Sequence, residues 1–327
     1  MATIYDVAKR AGVSTYTVSA VLNQSAYVSP ELTRRVQKAV GELDYTINGL
    51  ARSLQTRRTH TIGMLIPDIA NPFYAKVVRG VEDVCKREGY SLVLGNTYND
   101  PTEQSRYFST LRSKQVEGFL TFVAAGDENE VAALVAKKVP VTFLGRRPRS
   151  FDADAVTANN RKGTRLAVEY LLGRGHRRIA ILTGQFSLTA NRDRLAAWKE
   201  SLRRAKLPVP PDYACEGDWT ADSGYCHAIK LLDSSQPPTA IFAANFLMMT
   251  GVLRALQERG LTCPGQVEVM SSDDSEWLDV FQPPISTVVQ PSYDMGVQGA
   301  ELLLKRIRDP ERKPEKIVLE PTLKLRS

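Results

Sequence analysis

Apolar residues recur along the first stretch of the chain at helical spacing. Ile4, Val7, Ala8 and Ala11 fall at i, i+3, i+4 and i+7, the stripe of a short amphipathic helix. Gly12 ends that helix, and Ser14 is placed to cap a second one by accepting an orphan backbone N–H. In the second helix Val18, Val21 and Leu22 face inward, which leaves Thr15, Tyr16, Thr17, Ser19 and Ala20 facing outward. Two short helices about a glycine turn, the second with small polar residues outside, fit a DNA-reading helix-turn-helix. An ordinary αα-hairpin fits the pattern equally well. Ser29-Pro30-Glu31 then opens a third helix with a buried stripe of Leu32, Val36, Ala39, Val40 and Leu43. A short helical segment over 45–54 follows, with Asn48 to cap it and Leu50 and Leu54 on one face. It is too brief to hold itself together alone, so it serves as a tether or as a hinge that folds on DNA. A polar, basic linker runs over 55–60.

From Thr61 the period changes. Apolar runs of strand length at 61–66, 90–95, 118–123, 139–144 and 155–157 alternate with helical patterns at 72–88, 102–112 and 129–137. The alternation restarts with strands at 179–183, 215–219, 240–244 and 267–270 and helices at 163–172, 191–204, 223–232 and 247–259. Segments 285–289, 293–307 and 317–325 remain to close the two series. Continuous apolar strands between helices predict parallel sheets covered on both faces. The expected fold is an all-α helix-turn-helix headpiece (1–46), a hinge helix and linker (47–60) and an α/β core of two doubly wound parallel-sheet lobes. The lobes are 61–159 with 290–316 and 160–289 with 317–327. Ligands of such folds sit at the carboxyl ends of the strands, here in the cleft between lobes.

Composition adds little to this picture and removes several others. The chain has 327 residues, 43% hydrophobic and 24% charged, which suits a globular protein of two or three domains. The net charge is +7, and residues 1–60 hold eight Lys/Arg against four acids, the sign a phosphate backbone attracts. Four scattered cysteines (Cys85, Cys215, Cys226, Cys263) show no C-x-x-C spacing and are expected as buried thiols in a reducing compartment. No apolar leader and no membrane-length run is present, so a cytoplasmic protein with no membrane partner is expected.

Enzyme chemistry finds little material. His60, His176 and His227 lie far apart, none in an H-E-x-x-H or G-x-S-x-G context. Gly173-Arg-Gly175 lacks the third glycine of a dinucleotide loop and follows a helix, so it reads as a helix C-cap. Asp273-Asp274 has no flanking ligand cluster for a metal. No catalysis, cofactor or metal is expected.

Several separated motifs occur together in order: IYDVAKRAGVS (4–14), TVSAVLN (17–23), NGLARSL (48–54), TIGMLIPDIANPF (61–73), GHRRIA (175–180), EGDW (216–219), IFAAN (241–245), SDD (272–274) and TVVQP (287–291). On these the chain resembles the LacI/GalR family of bacterial transcription repressors from Thr3 to Arg326. The resemblance implies a homodimer that reads a pseudo-palindromic operator in double-stranded DNA and is released by a small effector. Ser14, Thr15, Tyr16, Thr17, Ser19 and Asn23 then fall on the family's DNA-contacting turn and recognition helix, and Tyr5, Tyr27 and Ser29 on its phosphate contacts. Asn48 and Ala51 fall on the hinge helix, and Leu54 on the lever that wedges between base steps. Position 20, often an arginine in the family, is Ala20, which can touch a thymine methyl but makes no bidentate guanine contact.

In the cleft the resemblance places Asn71 and Phe73 from the first lobe, and Arg146 joins them as a candidate of this sequence's own. It places Arg194, Trp219, Asn245 and Asp273 from the second lobe, with Gln290 on a crossover strand. An Arg/Asp pair and an aromatic face suit a polyol, although each residue could instead cap a strand end or pack in the core. Phe246 and Gly145 stand where the family often carries acids, with Arg146 and Arg147 adjacent. That points to a less hydroxyl-rich or more anionic ligand, such as a sugar acid or sugar phosphate, whereas the resemblance implies a sugar or sugar derivative acting as inducer rather than corepressor. No leucine heptads follow the last strand, so a tetramer built by a C-terminal coiled coil is not expected. A periplasmic sugar-binding protein shares the two-lobe architecture, but it would carry a leader and no headpiece.

Overall fold

The computed structural model describes residues 2–23, 26–45, 58–124, 128–148, 150–282 and 284–326. It divides into two units, residues 1–59 and 60–327.

In the first unit, α1 (Ile4–Ala11) opens with a reciprocal cap: Asp6 N donates to Thr3 Oγ1 at 3.3 Å, and Thr3 N donates to Asp6 Oδ2 at 2.8 Å. Gly12 ends the helix at φ 65°, a left-handed conformation that costs glycine little. Ser14 Oγ accepts from Thr17 N at 3.1 Å and so caps α2 (Thr15–Asn23). Ser29 caps α3 (Pro30–Glu42). Val7, Ala8 and Ala11 of α1 pack with Val18 of α2 and Val36 and Ala39 of α3 in one small core. Arg35 of α3 adds a clamp: Nε and Nη2 donate to Ala11 O at 3.0 and 2.7 Å, satisfying a carbonyl that the end of α1 leaves open.

The second unit holds the strands β1 (Thr61–Ile66), β2 (Ser91–Asn96), β3 (Gly118–Thr121), β4 (Val141–Leu144) and β5 (Asp154–Ala158). It continues with β6 (Ile179–Thr183), β7 (Ala214–Glu216), β8 (Ala240–Ala243), β9 (Glu268–Ser271), β10 (Thr287–Val289), β11 (Lys316–Leu319) and β12 (Thr322–Lys324). Between them run α4 (Pro72–Glu88), α5 (Pro101–Ser113), α6 (Glu128–Ala136), α7 (Asn160–Gly173), α8 (Thr189–Arg204), α9 (Ala221–Leu232), α10 (Phe246–Glu258) and α11 (Ser292–Arg308). One six-stranded sheet has the order β11-β5-β4-β3-β1-β2 and is parallel throughout. The other has the order β12-β10-β9-β8-β6-β7, with only β12 antiparallel.

Both sheets therefore reverse winding direction beside their first strand, between β1 and β3 and between β6 and β8. Each crevice at the carboxyl edge opens at such a switch point. Apolar faces explain the layers. Met64, Leu120 and Leu144 pack under α4 and α11 on one face of the first sheet, and Leu65, Phe119 and Phe143 pack on the other. Ile181, Phe242 and Met270 centre the second lobe around the fully buried Trp198.

The last segment corrects the expected boundary. Residues 317–325 do not form one strand of the second lobe: β11 pairs parallel with β5, and β12 pairs antiparallel with β10. Pro321 lies between them and has no N–H to give a ladder, so the strand breaks there and its halves join different sheets. The thiol expectation also needs amending. All four cysteines are free and Cys85 and Cys215 are buried, but Cys263 is half-buried and Cys226 exposed.

Candidate functional site

On the headpiece, Tyr5, Tyr16 and Tyr27 are exposed at 74, 74 and 92%, unusual for rings in so small a body. Ser14 is exposed, and Thr15, Thr17, Ser19 and Ser29 are half-buried. Ser14 and Ser29 spend their hydroxyl oxygens as helix caps. Ala20 departs from the expected outward set, being only 3% exposed. A single methyl does not rise past the longer side chains one turn away on the helix surface. Asn48, Ala51, Leu54 and the side chain of Asn23 lie outside the described residues.

In the core unit the carboxyl ends of nearly all the strands converge on one cavity. Asn71, Phe73, Arg146, Arg194, Trp219, Asn245, Asp273 and Gln290 all line it. They follow β1, β4, β6, β7, β8, β9 and β10 in turn, with α8 carrying Arg194 and α4 carrying Phe73.

The hydrogen-bond partners decide what each can offer. Asn71 caps α4, its Oδ1 accepting from Phe73 N at 3.0 Å, so its amide is what remains for a ligand. Asn245 caps α10 through Met248 N at 2.8 Å and donates Nδ2 to Trp219 O at 2.9 Å. It is committed to holding Trp219, whose backbone sits at φ 76°, strained for a bulky residue. The expected strand over 215–219 ends at Glu216, and the indole lies flat against Gly184, where an added Cβ would fall 2.1 Å from the ring. Gln290 donates Nε2 to Ser272 Oγ at 2.9 Å, leaving its carbonyl oxygen as an acceptor.

Arg194 donates from Nη1 to Asn191 Oδ1 at 3.1 Å, its guanidinium stands 5.8 Å from the centre of the Trp219 ring, and its buried Nε has no partner among the described residues. Asp273 accepts from Phe246 N at 3.3 Å. The two are not a closed pair. Among the described residues no ion pair within 4.0 Å joins them, though each acts on the other's charge. Burial pushes Asp273 up to about 6 against the pull of Arg194, and burial pushes Arg194 down to about 10 against the pull of Asp273. A donor and an acceptor held apart in a buried cavity wall suit vicinal hydroxyls, each of which both gives and takes a hydrogen bond.

Sequence reasoning missed part of the wall. Tyr74 and Phe122 line the cavity with Phe73, and their rings meet edge to face at 4.9 Å between centroids. Tyr74 is held at about 12 by burial. Its position directly after Phe73 reads as helix packing, and no local signal separates the two roles. Phe246, the residue standing in place of an acid, stacks edge to face on Trp277 at 5.4 Å. Gly145 sits at φ 66° with Phe122 Cε1 2.6 Å from any added Cβ, so an acid does not fit there in this arrangement. Asp274 points elsewhere, pairing with Arg326 at 2.6 Å and accepting from Thr287 Oγ1 at 2.8 Å. None of the three histidines lines the cavity, and among the described residues no group of acids, histidines and cysteines could hold a metal. No described helix is long and apolar enough to cross a membrane.

Known proteins share this fold. Residues 3–48 match the model of bacterial regulatory proteins of the lacI family, and residues 168–327 match a periplasmic binding protein-like domain. The chain is 38% identical over 326 residues to the ribose operon repressor of Escherichia coli strain K12, covering 99% of this chain and 98% of that one. It is 36% identical over 329 residues to the transcriptional repressor PurR of Vibrio parahaemolyticus, covering 100% and 98%. The crystal structure of the Lac repressor dimer bound to operator and the anti-inducer ONPF superposes with a TM-score of 0.86 at 30% identity, over 98% of this chain and 97% of that one. With a helix-turn-helix headpiece, two periplasmic-binding-protein-like lobes and full-length relatives that are repressors, this chain belongs to the LacI family: it is a transcriptional repressor and not an enzyme.

Proposed function

We propose that this repressor acts as a homodimer whose paired headpieces read a pseudo-palindromic operator, and that a small polyol-type effector bound between the lobes releases it. The observation that carries this reading is the cavity itself, where residues from both lobes meet with separated donors, acceptors and aromatic walls. A ligand gripped from both sides favours one lobe arrangement over another. It shifts the operator-bound population only by its differential affinity for the two. The name of the ribose operon repressor among the relatives supports a sugar as the effector class.

On the DNA side, Tyr16 and the polar residues Ser14, Thr15, Thr17 and Ser19 are the base-reading set, with Tyr5, Tyr27 and Ser29 on the phosphates. Ala20 supplies no guanine contact, which removes roughly 1–3 kcal/mol of discrimination at one half-site position relative to an arginine. Leu54 is assigned the minor-groove lever, and Asn48 and Ala51 the hinge around it. Selection of random duplexes with the full-length protein tests this. The expected product is an inverted repeat bound by two chains. Leu54→Ala should weaken the selected operator by about tenfold or more while changing bulk DNA binding little, since the wedge acts only on the kinked site. Equal losses on both would remove the lever, and a selected motif without two-fold symmetry would remove the dimeric reading.

A further inference from the structure

The two cavity arginines differ in what surrounds them. Arg194 has Asp273 to favour its charge. Arg146 has no such carboxylate. It donates Nη2 to Asn99 Oδ1 at 3.2 Å and Nη1 to the Val123 carbonyl oxygen, both neutral acceptors. Burial lowers its pKa, and the group that favours its charge is the Tyr74 hydroxyl. The other lining carboxylate, Asp68, accepts Ala70 N at 2.9 Å within its own turn. Position 145 cannot supply an acid without displacing the Phe122 ring, as its left-handed backbone and the tight Phe122 contact show. A half-buried guanidinium whose hydrogen bonds go only to neutral partners is left with its charge uncompensated until a counter-charge arrives.

The approach to the cavity adds two further arginines, against the carboxylates Glu128 and Asp152. Arg146 and Arg147 also line the adjoining depression with Ser187, Thr189 and Glu128, whose Oε2 accepts from Ser150 Oγ at 3.3 Å, and Arg147 and Arg192 flank the next one. Both Arg147 and Arg192 are exposed, and among the described residues neither forms an ion pair. Lys316 and Asp152, beside them, pair with each other at 2.5 Å. Unpaired cations at the mouth of a low-dielectric cleft concentrate anions there.

We infer that the effector is a hydroxylated molecule carrying one anionic group, a carboxylate or a phosphate, and that Arg146 recognises that group. Arg194 and Asp273 take the hydroxyls. This rests on the reading of the cavity as a polyol-type effector site, and it narrows the class.

The test is calorimetric titration of the full-length protein with ribose, glucose, gluconate, ribose 5-phosphate, glucose 6-phosphate and hypoxanthine. The expected result is that gluconate or a sugar phosphate binds about tenfold or more tighter than the neutral sugar of the same carbon number. Tighter binding by gluconate identifies a carboxylate, and by the esters a phosphate; either supports the inference. Arg146→Gln should cost the anion about thirtyfold or more, and Arg146→Lys, which keeps the charge, should restore most of it. Thermal unfolding of both variants near the wild-type midpoint shows that the fold survives. A neutral sugar binding as tightly as its acid and phosphate overturns the inference and leaves the polyol reading standing. So does an Arg146→Gln variant that binds the anion unchanged, provided it is folded. Binding of hypoxanthine alone, or of none of the six, overturns the polyol reading and this inference with it.

Discussion

Changing Asp273 to asparagine is expected to abolish the effector response while making the effector-free protein more stable at neutral pH. The carboxylate is 7% exposed, and burial holds it at about 6, well above the ordinary aspartate range. That displacement, which already includes the attraction of Arg194, corresponds to about 3 kcal/mol opposing the charged form. A carboxylate raised in the folded state adds stability that is fully present below its unfolded value near pH 4. The contribution is lost as the pH rises through about 6. Asparagine has the same shape, and its oxygen still accepts from Phe246 N, but it never bears the charge. Denaturant unfolding should therefore find the variant more stable by up to about 3 kcal/mol at pH 7, and level with the wild type near pH 4. Effector affinity should fall by about two orders of magnitude, because charge-assisted hydrogen bonds to hydroxyls are worth roughly 1.5–3 kcal/mol each. Operator affinity without effector should stay within about threefold, less than 1 kcal/mol. A variant less stable at pH 7, or one that still responds to effector, would contradict the assignment.

The largest loss of stability is expected at the glycine crossings. Helices α9 and α10 pack with Gly251 against the Ala221 carbonyl, and an added Cβ would lie 1.9 Å from that oxygen and 2.6 Å from Tyr225 N. The first lobe repeats the device where α4 meets α11, with Gly296 2.1 Å from Val77 O and Gly80 2.2 Å from Tyr293 O on the same construction. These neighbours are backbone and cannot rotate away, so the helices must separate. Gly251→Ala should cost about 3 kcal/mol or more, at or beyond the upper end for overpacked sites. Gly173→Ala is the control, because nothing lies within 4 Å of its added Cβ. It should change stability by less than about 1 kcal/mol. Comparable losses in both variants would mean that helix contact is not what requires glycine at 251.

Much of this architecture was legible because its signals are local. The stripe in α1, the Gly12 stop and the Ser14 and Ser29 caps each need only a few neighbouring residues, and the structure repeats them. The change of period at Thr61 likewise announces buried parallel strands one element at a time. The candidate cavity was reachable because residues just past strand ends share one edge of a doubly wound sheet, whatever their distance along the chain. What escaped depends on partners far apart in sequence. Arg35 reads as surface charge until its guanidinium is found on the carbonyls of α1, twenty-four positions earlier. Tyr74 reads as helix packing until Phe122 comes against it. The split at Pro321 was visible as a missing donor, yet nothing local says that the two half-strands join different sheets. Arg194 and Asp273 read as donor and acceptor for a ligand's hydroxyls; both line the cavity, and what no local signal could say is that among the described residues no ion pair within 4.0 Å joins them.

The central claim is that a ligand in the lobe cavity releases the headpiece from DNA. Its most direct test is the affinity of the full-length protein for its selected operator, measured by fluorescence anisotropy with and without saturating effector. The account predicts two chains per duplex and an affinity at least about tenfold weaker with effector, a coupling of ~1.4 kcal/mol or more. The Asp273→Asn protein should bind the same duplex and ignore the same compound. An operator affinity that effector leaves unchanged, or tightens, would contradict it.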